Sequence, residues 1–290
     1  MTARFIAEIS SNHHQDIARC LRFIDTAADI GCDGVKFQLF TVETLFHPVA
    51  LAVHPQLQAR RAWELPRAFL PTIAQRCQER GMLFGCSPFY LEAVTALLPF
   101  VNFYKIASYE LPWDALLRAC AQTGKSVVLS TGMATIPEIM HAVEVLYDAE
   151  CTHLTLLHCV SGYPTPLGEC NLGAIASLRA FDVPVGLSDH SASPAVLYRA
   201  VQYWHADMVE FHLDLDGTGD EYQTGHCWLP EQIALVIKMV RDGEITDGDG
   251  RKQPQPSELA DRAWRREPSD GLRPMLATRI ALQEQAWVSQ

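Results

Sequence analysis

Residues 4–40 read RFIAEISSNHHQDIARCLRFIDTAADIGCDGVKFQLF. The stretch begins with one apolar run, residues 4–10, and ends with another, residues 34–40. Such near-continuous hydrophobicity is typical of strands buried on both faces of a parallel sheet. Gly31 stands just before the second run, where a left-handed helix cap is expected. Between the runs, four apolar residues share one face of a predicted helix: Ile17, Leu21, Ile24 and Ala28.

The same alternation of strand and helix repeats along the chain. Thr135 and Glu138 form a predicted capping box at the start of one later helix, and Pro230 opens another. Eight strands alternating with helices in about 245 residues match a closed (β/α)8 barrel, the TIM barrel of the α/β class. The six further strands are predicted in MLFGCSP (82–88), FYKIAS (103–108), SVVLSTG (126–132), HLTLLHCVS (153–161), PVGLSDH (184–190) and MVEFHLDL (208–215).

The predicted domain boundary lies at residue 245. Residues 1–245 form the barrel, and an open doubly wound sheet is the alternative, although no Gly-rich dinucleotide-binding fingerprint follows the first strand. Residues 246–290 differ in character. Most of them are polar, the segment is rich in Pro and Gly, and its charged residues alternate in sign. They are too few for a second domain with its own core. We therefore expect a short irregular extension that packs on the barrel.

The composition narrows the classes of function. The chain has 290 residues, 48% of them hydrophobic, and a net charge of -11. This charge argues against nucleic-acid partners, whose phosphates are held by Lys and Arg. The N-terminus does not resemble a signal peptide, and no stretch reaches the roughly 18 apolar residues that span a bilayer. Nine cysteines without a C-x-x-C pair favour a reducing compartment, so we expect a cytoplasmic protein with no membrane partner.

Two lysines lie inside apolar predicted strands. Lys36 is in the second strand and Lys105 in the fourth, and a charge in such a strand is costly unless it is compensated. A structural carboxylate beside each lysine is one explanation. However, several strands also end in Ser or Thr, at the barrel edge where catalytic groups lie. Ammonium and hydroxyl groups are what phosphate oxygens accept hydrogen bonds from, so the pattern indicates a site for a phosphorylated or carboxylated anion.

Two histidines end adjacent predicted strands. His190 follows the seventh strand and His212 lies in the eighth, so both should project to the same side of the barrel mouth. With Glu8 of the neighbouring first strand they form a candidate divalent-metal site with open positions. His158 and His226 are expected instead to be hydrogen-bonded core or loop residues.

Eight motifs occur in a fixed order over residues 4–215. FIAEISSNHHQD looks like the opening AEIG-NHNG of the sialic acid synthase family, and DGVKFQLF looks like its A-VKFQ strand. FGCSPF, YKIASYEL, LSTGMAT, LLHCVSGYPTP, VGLSDH and VEFH follow in the order and spacing of that family. Members of the family make N-acetylneuraminate and related nonulosonic acids. The resemblance implies a transferase that condenses phosphoenolpyruvate with an open-chain, N-acyl hexosamine-like sugar aldehyde, giving a 2-keto-3-deoxy sugar acid and phosphate.

The resemblance also implies roles for individual residues. A divalent metal would be held by His190 and His212, with Mn²⁺ as the expected ion and Co²⁺, Mg²⁺ or Zn²⁺ as alternatives. Glu8 is the matching catalytic carboxylate and completes the catalytic set with the two histidines. The residues matched to phosphoenolpyruvate binding are Lys36, Ser87, Lys105, Ser108, Ser130, Ser161 and Ser188. The residues matched to binding of the acceptor aldose are Glu110, Tyr163 and Gln223.

The acceptor half of the predicted site departs from the family pattern. The family usually carries an antifreeze-like C-terminal domain that reaches into the active site of a partner subunit. We do not expect that domain here, and because the family's dimer relies on it, a homodimer is possible but left open. Residues 217–230 read GTGDEYQTGHCWLP where the family has a GPD segment, and counting along the loop places its acceptor-binding Asp on Gln223. Two other functions stay open: a metal-dependent barrel aldolase or isomerase acting on a phosphosugar, and a non-catalytic synthase-like binding subunit.

Overall fold

A computed structural model describes residues 3–288 of the chain. Eight parallel strands pair with their successive neighbours, and the first also pairs with the eighth, so the sheet closes into the predicted (β/α)8 barrel. A short ninth strand runs parallel to the end of the eighth. The strands are β1 Arg4–Glu8, β2 Gly34–Leu39, β3 Leu83–Pro88, β4 Phe103–Ile106, β5 Ser126–Ser130, β6 Leu154–Cys159, β7 Val185–Asp189, β8 Met208–Leu213 and β9 Cys227–Trp228.

Helices connect the strands, as the apolar spacing predicts. The second connection, between β2 and β3, is the longest and holds several short helices before its main one. The helices are α1 Ile17–Asp29, α2 Val42–Leu45, α3 Pro48–Val53, α4 Leu70–Glu79, α5 Leu91–Leu97, α6 Asp114–Ala121, α7 Ile136–Asp148, α8 Ala174–Leu178, α9 Pro194–Gln202, α10 Asp220–Gln223, α11 Pro230–Thr246, α12 Leu259–Arg262 and α13 Leu276–Val288. Turns of 3-10 helix occupy Pro55–Trp63, Arg67–Phe69, Ser108–Glu110, Leu167–Glu169, Arg179–Phe181 and Pro256–Glu258.

Local signals in the sequence set several helix ends. Gly31 follows α1 with φ +90°, a left-handed backbone that glycine adopts without strain. The backbone N–H and hydroxyl of Thr135 both donate to the Glu138 carboxylate, which confirms the predicted cap of α7. Pro230 is the first residue of α11, where a missing N–H costs nothing.

The interior of the barrel is layered because successive residues of a strand face opposite sides. Ile6, Phe103, Val128, Leu157 and Met208 form a small apolar cluster, separate from the larger core that includes the sheet and its surrounding helices. Two residues further along three of these strands, on the same face, the side chains are charged: Glu8, Lys105 and Glu210. The apolar layer therefore supports a buried charged layer at the carboxyl ends of the strands.

The described residues divide into two compact units between Glu244 and Ile245. The second unit is more regular than the sequence predicted, because α13 occupies thirteen of its residues. The expectation of an irregular extension rested on residues 247–274, whereas the segment after Pro274 contains neither Pro nor Gly and suits a helix. In the part of the chain that the structure describes, no helix has both the length and the apolar character that crossing a membrane requires.

Candidate active site

A network of buried charges lies at the barrel mouth. Lys36 Nζ is 2.5 Å from Glu8 Oε2 on the neighbouring strand and 3.9 Å from Glu210 Oε2. Lys105 Nζ lies 3.5 Å from Glu210 Oε1, so the two lysines share this carboxylate. All four side chains are at most 5% exposed. The structure therefore brings both predicted lysines together, and it adds Glu210, which was not among the predicted site residues.

Burial and neighbouring charges shift the pKa values of this network. Burial alone would raise the pKa of Glu210, but Lys105 and Lys36 outweigh it and lower the pKa to about 2. For Lys105 burial prevails over the attraction of Glu210, and its pKa is lowered. Burial also raises the pKa of Glu8, despite the opposing effect of Lys36. The layer thus holds one strongly acidic carboxylate and one carboxyl that retains its proton more readily.

Two serine hydroxyls are hydrogen-bonded to the charged network. Lys36 Nζ donates to Ser87 Oγ at 3.2 Å, and Ser188 Oγ donates to Glu210 Oε1 at 3.0 Å. In contrast, the hydroxyls of Ser130 and Ser161 are buried and have no hydrogen-bond partner within the described chain. Unpaired buried hydroxyls are costly and rare, so each calls for an explanation. A bound anion that accepts from both hydroxyls would supply the missing partners.

Gly132 leaves room beside the backbone for the hydroxyls of Ser108 and Ser161. Its backbone N–H donates to Ser108 Oγ at 3.0 Å. A Cβ at this position would lie 2.4 Å from Ser161 Oγ and 2.7 Å from Ser108 Oγ, closer than real contacts allow. The glycine after β5 thus lets two predicted phosphoenolpyruvate-binding serines approach one backbone segment. This close approach of backbone to a site is a common reason for glycine.

Three histidines and a tyrosine form the outer part of the mouth. The ring centroids of His190 and His212 are 5.2 Å apart, and the His226 ring lies 4.9 Å from that of His212. The Tyr163 ring contacts His190 with centroids 4.2 Å apart. The structure therefore brings together the predicted metal ligands and one predicted acceptor residue. It also brings in His226, which the sequence assigned to the core or a loop.

Hydrogen bonds orient the two predicted metal ligands. His190 Nδ1 lies 2.9 Å from the Val160 carbonyl oxygen, which can only accept, so this nitrogen carries the proton and Nε2 keeps its lone pair. Burial lowers the pKa of His190 to about 3, and His212 adds to this effect. For His212, burial acts in the same direction, but the Glu221 carboxylate 2.6 Å from Nδ1 raises its pKa well above the usual value.

The predicted acceptor residues Glu110 and Gln223 differ in burial and in orientation. Glu110 is mostly buried, with no hydrogen-bond partner for Oε2 within the described chain, and burial raises its pKa to about 7. Gln223 is not directed at the histidines, since it is exposed and its amide donates to the Gly217 carbonyl at 2.8 Å. Counting along the loop failed because the loop forms the short helix α10, on which residues two apart face opposite sides. Glu221 takes the inward position instead.

Glu221 is the most connected carboxylate of the outer mouth. Its Oε1 accepts from the hydroxyls of Ser10 and Ser11, and its Oε2 lies beside His212 and His226. No pattern in the sequence pointed to it, because its place depends on the fold of the loop. His158 is arranged as predicted for a core residue, with Nε2 2.8 Å from the Cys170 carbonyl oxygen.

The donor set fits a divalent metal ion. Ligand atoms of His212, Glu221, His226 and Cys227 all lie within 4.8 Å of one another, and all four side chains are buried or mostly buried. Imidazole nitrogen and carboxylate oxygen suit Mn²⁺, Co²⁺ and Zn²⁺. The separate lysine and serine layer fits an anion. The donors on one side of the mouth therefore fit a cation, and those on the other side fit an anion.

Comparison with known proteins agrees with these observations. The sequence profile of the NeuB family matches residues 23–252. The chain is 32% identical over 267 residues to N,N'-diacetyllegionaminic acid synthase of Campylobacter jejuni, a match that covers 87% of this chain and 80% of that protein. It is 30% identical over 279 residues to a pseudaminic acid synthase of the same species, covering 90% of this chain and 79% of the relative.

A solved structure gives the same result. The crystal structure of a sialic acid synthetase from Leptospira borgpetersenii superposes with a TM-score of 0.79 at 30% sequence identity. The superposition covers 90% of each chain. Sequence profile, named relatives and barrel geometry thus agree with the motifs, and the chain belongs to the NeuB family, the sialic acid synthase family that those motifs resemble.

Proposed function

We propose that this chain condenses phosphoenolpyruvate with an open-chain, N-acyl hexosamine-like sugar aldehyde, giving a 2-keto-3-deoxy sugar acid and phosphate. The observation that carries the proposal is the buried pair Lys36 and Lys105 beside the unpaired hydroxyls of Ser130 and Ser161, next to a histidine cluster. Relatives named as legionaminic and pseudaminic acid synthases support the same reaction class.

The charged layer is the proposed binding site for phosphoenolpyruvate. The ammonium groups of Lys36 and Lys105 attract its phosphate and carboxylate, and charge-assisted hydrogen bonds of this kind are among the strongest in proteins. The free hydroxyls of Ser130 and Ser161 donate to its oxygens, which gives both groups the partner they lack. The proposed binding set is completed by Ser87, Ser108 and Ser188.

The proposed reaction has two bond-forming steps. The third carbon of phosphoenolpyruvate attacks the aldehyde carbon, and the aldehyde oxygen takes up a proton. Water then adds to the second carbon, and cleavage of the C–O bond to phosphate leaves the ketone of the product. Glu8 is the proposed group that orients this water or transfers a proton. Its raised pKa and the hydrogen bond from Gln38 Nε2 at 2.8 Å support this role.

The outer mouth is the proposed site of the aldehyde. A divalent metal held by His190 and His212, with Mn²⁺ as the first candidate, would polarise the aldehyde oxygen when bound. The Tyr163 ring, packed against His190, and the Glu110 carboxyl line the proposed acceptor pocket. A neutral Glu110 can donate a hydrogen bond to a sugar hydroxyl, which its raised pKa favours.

Three further features belong to the proposal. Nine buried free thiols support a cytoplasmic location, because oxidising compartments favour disulfides. Residues 246–290 are proposed to be an extension rather than a second catalytic domain. A homodimer is proposed from the resemblance to the family, and light scattering of the purified protein tests it.

Phosphate release from phosphoenolpyruvate tests the proposed function. The full chain is incubated with Mn²⁺ and phosphoenolpyruvate, across a panel of aldoses and N-acyl aldoses. We expect release that requires an aldehyde and that is lost in a His190→Ala variant. Release without any aldehyde would indicate a phosphatase, and cleavage of a phosphosugar without phosphoenolpyruvate would indicate the aldolase alternative. Binding of both ligands without turnover across the panel would favour the non-catalytic alternative.

A further inference from the structure

The loop between β8 and β9 is held in place by contacts that do not involve the histidines. The Arg19 guanidinium binds Asp214 and Asp216 at 2.8 and 2.7 Å, and the Asp214 side chain is fully buried. The backbone N–H of Gly219 donates to Asp214 Oδ2 at 2.9 Å. Asn12 Nδ2 donates to the Leu213 carbonyl at 2.9 Å. These bonds fix the residues that lead from β8 to the first residue of α10, so that the helix begins at a defined position at the barrel mouth.

After α10 the chain returns to the side of β8 and forms β9. Gly225 follows α10 with φ +89°, a left-handed conformation that glycine allows. β9 pairs in parallel with β8, with Cys227 opposite His212. This pairing places His226, the residue before β9, at the mouth beside His212. As a result Glu221 and His226 approach His212 from the two ends of one short loop segment.

The hydrogen bonds of His226 select a tautomer whose site-facing nitrogen is free to bind a metal ion. The Thr224 hydroxyl donates its proton to the Glu221 carbonyl at 2.8 Å, so it can only accept from His226 Nδ1, which is also 2.8 Å away. Nδ1 therefore carries the ring proton, and Nε2 keeps its lone pair. That Nε2 lies 3.7 Å from Glu221 Oε2, on the side of His212. Metal-binding histidines are held in this way, with the second nitrogen donating to a fixed acceptor.

We propose that Glu221 and His226 complete the metal site, adding a carboxylate and a third imidazole to His190 and His212. This inference rests on the proposed metal role of those two histidines and extends it. Glu221, His212 and His226 place ligand atoms within 4.8 Å of one another, and Glu221 Oε2 lies near both imidazoles. Such a nitrogen-rich set binds Zn²⁺, Co²⁺ or Mn²⁺ in preference to Mg²⁺, which favours oxygen ligands and bound water.

Metal affinity without substrate tests the inference. Full-length protein is stripped with a chelator and titrated calorimetrically with Mn²⁺, Co²⁺ and Zn²⁺. Since removing a group that only orients a metal ligand costs about 10–100-fold in affinity, loss of a ligand in Glu221→Gln or His226→Ala should cost at least about 100-fold. Thr224→Val removes the acceptor of His226 Nδ1 and one hydrogen bond to the Glu221 carbonyl but no proposed ligand, so it should cost about tenfold. The visible spectrum of bound Co²⁺ should change in the two ligand variants.

Matched controls separate the inference from misfolding and from the proposed function. Asp220→Asn changes the exposed carboxylate next to Glu221, and His153→Ala removes an exposed histidine, so both should bind metal as wild type does. Thermal melts of the stripped proteins check the fold. Wild-type affinity and an unchanged cobalt spectrum in both ligand variants, with affinity lost in His190→Ala, would overturn the inference and leave the two-histidine site. Tight metal binding without phosphate release would instead count against the proposed function alone.

Discussion

Replacing Glu210 by Gln should destabilise the protein more than a typical substitution. The carboxylate lies 3.5 Å from Lys105 and 3.9 Å from Lys36, and it also accepts a hydrogen bond from Ser188. Gln keeps the shape but removes the negative charge. Lys105 would then lose its salt-bridge partner, and Lys36 would keep Glu8. Breaking a buried charge network by removing one partner is costly because the remaining charge stays in a medium of low polarity.

The size of the effect follows from the pKa of Glu210. The lysines lower it from 4.5 to about 2, after overcoming the opposing effect of burial. At about 1.4 kcal/mol per pKa unit, this corresponds to about 3 kcal/mol of folding free energy at neutral pH. Measured losses of one partner in buried ion pairs are similar, at about 3–5 kcal/mol. We therefore expect Glu210→Gln to lower the free energy of unfolding by about 3 kcal/mol at pH 7.

The stability that Glu210 contributes should depend on pH in a defined direction. A carboxyl whose pKa is lowered by folding contributes stability that is present above its unfolded pKa of about 4.5. That contribution is lost as the pH falls towards 2, where the folded protein also takes up the proton. The difference in free energy of unfolding between wild type and Glu210→Gln should thus reach its full value at pH 7 and be smaller at pH 4.

Urea unfolding followed by circular dichroism measures both effects. Glu92→Gln is the matched control, because Glu92 is exposed at the start of α5 and its loss should cost less than about 0.5 kcal/mol. A Glu210→Gln protein as stable as this control at pH 7 would refute the argument. A large loss of stability that does not depend on pH would show that packing, rather than charge, is responsible.

Three other predictions concern the two halves of the mouth. Lys105→Met should weaken phosphoenolpyruvate binding about 10–100-fold in calorimetric titrations, because this is the usual cost of losing a hydrogen bond to a charged group. An unchanged affinity would show that this lysine does not bind phosphoenolpyruvate. Gly132→Ala should raise the KM for phosphoenolpyruvate at least about tenfold because its Cβ would displace Ser108 and Ser161. An unchanged KM would show that the placement of these two serines does not matter for binding. Folding raises the pKa of Glu110 to about 7, so the wild type should lose stability relative to Glu110→Gln as the pH rises from 4.5 through 7, by at most about 3 kcal/mol. A urea-unfolding difference that is constant with pH would contradict the last of these.

The sequence predicted what depends on regular spacing. Buried parallel strands and amphipathic helices have clear periods, and the carboxyl ends of such strands meet at one edge of a barrel. Lys36, Lys105 and the histidines at 190 and 212 could therefore be assigned to one site from the sequence alone. Glu210 stands two residues before His212, on the same face of β8. The sequence did not single it out as a site residue, because nothing within one strand shows that its glutamate pairs with lysines of two others.

The loop after β8 could not be predicted because its geometry depends on distant contacts. The salt bridges from Arg19 to Asp214 and Asp216 join residues almost 200 positions apart. They hold the loop in which Glu221, rather than Gln223, faces the site. His226 is a buried, hydrogen-bonded loop residue, as expected, but its place beside His212 follows from the pairing of the two-residue strand β9. A strand this short has too little periodicity to be recognised in the sequence.

The formation of a carbon–carbon bond is the most direct test of the proposed reaction. The protein is incubated with Mn²⁺, an aldose that supports phosphate release, and phosphoenolpyruvate labelled with ¹³C at its third carbon, and the product is examined by NMR. We expect the label to appear as a methylene group between the ketone carbon and a carbon that bears a hydroxyl, in equal amount with the released phosphate. Label found in the methyl group of pyruvate, or remaining in phosphoenolpyruvate, would contradict it.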